Sequence, residues 1–139
     1  EQYGKIKRVG EYAREEDVPE KTIFVITTDG MENSSRCYTY DKVRKMIDHQ
    51  TKKYHWEFLF LGANIDAVKE AGRFGINASR AAEYHHDGEG TRLNYRVVSD
   101  IVGCARKAST AVEMNAMLDE CDMMAPIRQD YKKRKKRRL

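Results

Sequence analysis

The sequence predicts an α/β domain built as a three-layer αβα sandwich around a mostly parallel sheet. Two observations carry that expectation. Thr22-Ile-Phe-Val-Ile-Thr-Thr28 is a continuous run of β-branched and aromatic residues without polar alternation, and Trp56-Glu-Phe-Leu-Phe-Leu61 is a second largely apolar run, the pattern of strands buried on both faces. Between and after them come segments with apolar residues at helical spacing, so strand and helix alternate along the chain.

Tyr3 to Glu16, with Ile6, Val9 and Ala13 among charges, reads as the last turns of an amphipathic helix. Pro19 biases Val18 away from helix and breaks it. The first strand ends at Asp29-Gly30, and Met31 to Tyr38 reads as a polar loop. Thr39 is the expected N-cap of a helix from Tyr40 to Tyr54, whose stripe is Tyr40, Val43, Ile47 and Tyr54. Asp41–Lys45 and Asp48–Lys52 are i,i+4 pairs in the better orientation. The second strand closes at Gly62-Ala63-Asn64. Asn64 or Asp66 then caps a short helix to Phe74, with Gly75 as its C′ residue.

Ala81 to His85 reads as a third, weaker strand. Asp87-Gly-Glu-Gly90 reads as a turn, with Thr91 capping a helix to about Ala105 along Leu93, Val97 and Ile101. Residues 106–126 read as a helical extension, and Pro126 with the following basic run as a detached tail over residues 127–139. The apolar composition of Thr22–Thr28 suits a central strand, yet only two strands follow it. An exposed edge of that composition invites pairing, so further strands before Glu1, or another chain, are expected to cover it.

The formal net charge of +4 over 139 residues hides two regions. Lys132 to Arg138 supply seven cations, and without them 19 basic face 22 acidic side chains. The body is mildly acidic and the tail basic. Three separated cysteines, Cys37, Cys104 and Cys121, favour free thiols and a reducing, cytoplasmic setting over a disulfide framework. No apolar run reaches the length of a membrane span, and no signal peptide opens the chain, although Glu1 in place of Met leaves its true start open.

Three blocks in order give a family resemblance. Thr22-Ile-Phe-Val-Ile-Thr-Thr-Asp-Gly-Met-Glu-Asn-Ser-Ser35 with Tyr38-Thr39-Tyr40 resembles the fourth strand and following loop of bacterial von Willebrand factor A-type domains. Phe58-Leu-Phe-Leu-Gly-Ala-Asn-Ile-Asp-Ala67 resembles their fifth strand, and Gly90-Thr-Arg-Leu-Asn-Tyr95 the start of their last helix. The match spans roughly Gly4 to Ala105. It implies a Rossmann-like sheet of which residues 1–105 are the C-terminal portion, the first three strands lying upstream.

The family holds a divalent cation, usually Mg²⁺, above the carboxyl ends of its strands. An Asp-x-Ser-x-Ser motif, a Thr from a later loop and an Asp after the fourth strand bind it. Only the last has a counterpart here, Asp29; the Asp-x-Ser-x-Ser motif is absent from the sequence. A hard cation wants about six oxygen ligands. Mg²⁺ or Mn²⁺ is therefore expected in the intact domain and weakly or not at all in this chain alone. Read from spacing, Asp29 is equally a turn residue beside Gly30. Glu32, Asn33 and Ser34 are candidate partner-binding residues or a solvated loop, and Asn64 and Asp66 are candidate rim residues or helix caps.

The resemblance implies a protein-interaction module, its partner an unidentified protein offering an acidic side chain to the metal. Rival readings are a metal-assisted hydrolase using Asp29 and a nonspecific nucleic-acid binder acting through the tail. Against the first, no second carboxylate motif or general base is spaced to match. For the second, the run Lys132–Arg138 lacks interleaved aromatics beyond Tyr131, which argues against sequence-specific recognition and leaves a solvated or nonspecific tail. His85-His86 makes a poor chelate because neighbours on a strand face opposite ways. No phosphate-binding glycine loop is present.

Overall fold

The computed structural model describes residues 19–30 and 39–137. Three strands, β1 (Ile23–Asp29), β2 (Glu57–Ala63) and β3 (Ala81–Glu83), form a parallel sheet in the order β1-β2-β3. Helix α1 (Tyr40–Tyr54) connects β1 to β2, and α2 (Ala67–Arg73) with a 3₁₀ turn (Ala78–Arg80) connects β2 to β3. Three helices follow: α3 (Gly88–Lys107), α4 (Ala111–Glu120) and α5 (Ala125–Arg137). The expected helix over Tyr3–Glu16 lies outside the described residues.

The strand residues sort by parity into two cores, as a two-residue period requires. Phe58 and Phe60 of β2 pack with Ile47 of α1, Ala67 and Ala71 of α2, Trp56 and Ile76. Leu59, Leu61 and Ala63 face the other way, onto Val97, Ile101 and Ala105 of α3, Met114 and Leu118 of α4, and Ile127 of α5. Helices therefore cover both faces of the sheet. All seven residues of β2 are buried, as its unalternated sequence demands. None of the seven of β1 is. Its composition suits a centre, but among the described residues it stands at an edge.

The helix ends follow local chemistry. Thr39 Oγ1 accepts from Lys42 N and caps α1, and Lys52 pairs with Asp48 at 3.2 Å. His55, at φ 57°, ends that helix in a left-handed turn. Asp66 caps α2 by accepting from Lys69 N at 3.2 Å. Thr110 caps α4, and Glu113 returns a hydrogen bond to Ser109 N. Helix α3 begins before the expected Thr91, with Asp87 as its cap. Lys21 Nζ donates to the carbonyls of Ala105 and Ala108, joining the entry of β1 to the end of α3.

The detached tail expected after Pro126 is instead a helix. Pro126 is the second residue of α5, a first-turn position where its missing N–H costs nothing. Ile127 is buried in the core beside Met124. Arg128 spreads its guanidinium over the carbonyls of Ala78, Ser79 and Ala81 and pairs with Asp122 at 2.6 Å. That contact occupies the outer edge of β3. Among the described residues, no helix is long and apolar enough to cross a membrane.

Candidate functional site

The carboxyl ends of the three strands bring one polar residue each to a common point. Asp29 is the last residue of β1, and the ladder runs one step beyond it through Gly30 N to Ala63 O at 2.9 Å. Gly30 turns the chain at φ 101°, a left-handed conformation glycine takes without strain, and Thr28 Oγ1 donates to its carbonyl. Asn64, directly after β2, sits at φ 60°, where asparagine is among the tolerated residues. Its Nδ2 donates to Asp29 Oδ1 at 2.6 Å. His86, beyond β3, places Nδ1 3.5 Å from Asp29 Oδ2. With side chains 57% and 45% exposed, the imidazole–carboxylate pair is screened and adds little to stability. It sets orientation.

Beside this point lies a cleft of about 400 Å³, lined by Asn64, Tyr84, His85, His86, Asp87, Tyr131 and Lys135. His85 and His86 diverge where the chain bends past β3, with Asp87 N donating to the His85 carbonyl at 2.9 Å. His86 faces Asp29, whereas the His85 ring stacks on Tyr131 with centroids 4.7 Å apart. His85 Nε2 lies 3.0 Å from the Tyr131 carbonyl, which can only accept, so that nitrogen carries the proton. Burial raises the Tyr131 phenol above its ordinary range, and the nearby Glu83 adds to the shift. Burial likewise raises Tyr84, with the Asp29 charge reinforcing it.

Asp87 anchors the floor. Its Oδ1 accepts from Gly90 N at 2.8 Å, and its Oδ2 accepts from Arg134 of α5 at 2.6 Å. Gly90 has a specific reason to be glycine: a Cβ there would overlap the His85 carbonyl oxygen. The Arg134 guanidinium, then the Gly90 amide, hold the Asp87 carboxyl at about 2, below its ordinary 3.8. A carboxyl lowered in the folded state stabilises the fold above its unfolded value, and that contribution is lost as pH falls through the folded one. Asp87→Asn should therefore lower stability near neutrality and flatten the acid limb between about pH 4 and 2. Chemical denaturation across that range measures it; parallel acid limbs for the two proteins would contradict the assignment.

The sequence candidates separate in the fold. Asp29 and Asn64 come together. Asp66 does not join them, because its carboxylate is turned onto the first turn of α2. Glu32, Asn33 and Ser34 lie outside the described residues. His86, Tyr131 and Lys135 join the site without having been singled out for it. Only His86 had a sequence signal, its position directly after the expected third strand, Ala81 to His85.

A Mg²⁺ or Mn²⁺ ion does not fit the described residues by themselves. Among them, no three carboxylate, imidazole or thiol groups converge on a point. Both oxygens of Asp29 face nitrogen groups, the Asn64 amide and the His86 ring, whereas a hard cation wants a shell of oxygens. The described thiols, Cys104 and Cys121, are free. No family model, curated protein or solved structure matches the chain.

Proposed function

We propose that the carboxyl edge of this sheet is a recognition surface and that the chain is a protein-interaction module of the von Willebrand factor A type. One observation carries the reading: Asp29, Asn64 and His86, each from the end of a different strand, meet beside an open cleft. Open α/β sheets bind ligands at this edge. Asn64 fixes the Asp29 carboxylate, which in turn orients His86. Lys135 then offers its ammonium N–H donors across the cleft to an acidic side chain of the partner, beside the oriented His86 ring. The Mg²⁺ that the resemblance implies would take its remaining ligands from residues other than the described ones, and recognition through the cleft does not pass through it.

The test is a titration of the isotopically labelled chain with a Glu-bearing peptide, with and without Mg²⁺. Amide shifts should cluster at Gly30, Asn64 and His86, and Asp29→Ala should weaken binding about tenfold, equivalent to roughly 1.4 kcal/mol. Shifts elsewhere, or affinity indifferent to Asp29→Ala, would overturn the reading. Asp29-dependent turnover of a generic phosphate ester would replace it with the hydrolase. Mg²⁺ alone should leave thermal unfolding unchanged.

A further inference from the structure

The seven-cation run reads as a solvated tail in the sequence, but the fold gives part of it a second wall. Helices α3 and α5 pack side by side, and between them runs a groove of about 580 Å³. Arg92 and Arg96 of α3 line one side, Gln129 and Lys133 of α5 the other, with Leu93 and Pro126 between them. Arg137 follows Lys133 at i+4 and extends the row along the same face of α5.

The acidic residues at the groove, Glu89 and Asp130, share one cation, Arg134, which also holds Asp87. Arg134 grips Asp130 through two nitrogens at 2.8–3.1 Å and lies 3.4 Å from Glu89. Arg92, Arg96 and Lys133 are exposed and make no ion pair among the described residues. The groove therefore presents three uncommitted cations, Arg92, Arg96 and Lys133, which outnumber its two lining carboxylates even before Arg134 offsets part of their charge. Such a row matches the spaced charges of a phosphodiester backbone.

A second observation narrows the ligand. Tyr95 is 75% exposed, far more than any other aromatic among the described residues. It lies three residues from Arg92, so the two side chains are neighbours on α3. An exposed ring beside a cationic groove is the arrangement that stacks unpaired bases. The aromatic missing from the basic run is thus supplied by another helix. Past Ile127, α5 carries no aliphatic side chain, so nothing there would insert among acyl chains.

We propose that the α3–α5 groove binds single-stranded nucleic acid, with Arg92, Arg96 and Lys133 on phosphates and Tyr95 stacked on a base. This site is separate from the strand-end cleft and does not depend on its function.

Fluorescence anisotropy of the full chain with labelled oligo(dT) and oligo(rU) tests it. Arg92→Gln/Arg96→Gln/Lys133→Gln should weaken binding at least about tenfold and reduce the salt slope by roughly two to three. Tyr95→Ala should weaken single-strand binding roughly fivefold or more and leave duplex binding unchanged. Lys42→Gln/Lys45→Gln/Lys69→Gln, the same charge removed from the opposite helical layer, should change affinity less than twofold. The proposal fails if the opposite-layer variant loses as much as the groove variant, or if Lys132→Gln/Lys136→Gln, on another face of α5, loses more. It also fails if Tyr95→Ala has no effect, or if phosphatidylserine vesicles bind and oligonucleotides do not.

Discussion

Arg80→Ala should destabilise the protein by about 3–5 kcal/mol, the usual result of removing one partner of a buried ion pair. Arg80 and Glu57 are 8% and 7% exposed. The guanidinium meets the carboxylate through two bonds, Nε to Oε2 at 2.9 Å and Nη2 to Oε1 at 3.2 Å. It also donates to the Leu118 carbonyl and to Asp119 at 2.7 Å. Asn115 completes the group by donating to Glu57 Oε1. Burial works against the charged guanidinium, yet the Glu57 and Asp119 contacts outweigh it and hold Arg80 above its ordinary range.

This network joins the first residue of β2, the turn into β3 and the end of α4, so its loss loosens the sheet from that helix. Truncation leaves the Glu57 carboxylate buried with Asn115 as its remaining donor among the hydrogen bonds described. Denaturant unfolding measures the loss, and the melting temperature should fall by roughly 10 °C or more. Glu57→Gln/Arg80→Met should recover part of the deficit, because neither member then stays buried as an unpaired charge. A single-variant loss below about 1 kcal/mol, the size of an exposed pair, would show that the network is open to water.

Ile127→Ala is the second large effect, at about 2–5 kcal/mol. Ile127 is 1% exposed among Met114, Leu118 and Met124, and its truncation leaves a cavity where α5 meets the other helices. Lys132→Ala, a few residues later on the same helix but exposed, should stay within about 0.5 kcal/mol. The contrast separates a docked helix from a detached tail, since a detached segment would make both substitutions silent.

The parts of the fold visible in the sequence are those decided by local pattern. Thr22–Thr28 announces a strand because nothing but β-branched and aromatic residues fills it, and Trp56–Leu61 because aromatic and leucine side chains run through it without polar alternation. Thr39 and Asp66 announce helix starts because a short oxygen-bearing side chain there meets free N–H groups. Pro126 misleads because one residue type serves two opposite ends: it stops a helix from within and starts one at its first turn. Asp87 and Thr91 compete as caps for the same helix. The choice is settled by the close approach of Gly90 to His85, which no spacing rule contains.

The candidate site was legible only at Asp29 and Asn64, whose positions follow from the strands they terminate. Arg134 reaches Asp87 across 47 residues, and Tyr131 reaches His85 across 46. Such meetings depend on how α5 docks, and that is fixed by Ile127 and Arg128, not by any motif around the histidines. The groove cations show the same dependence. Arg92 and Lys133 belong to separate charge patterns until α3 and α5 lie together.

The two rims of the sheet differ in a way that limits how copies of the chain can combine. Arg128 blocks the β3 side, so among the described residues any added strand must join beside β1. Two copies meeting there would use the same strand on both partners, related by a two-fold axis and running antiparallel. Each contact consumes the β1 rim of both molecules. Assembly by that route is self-complementary and stops at a pair, where a sheet with two open rims would grow into a fibre.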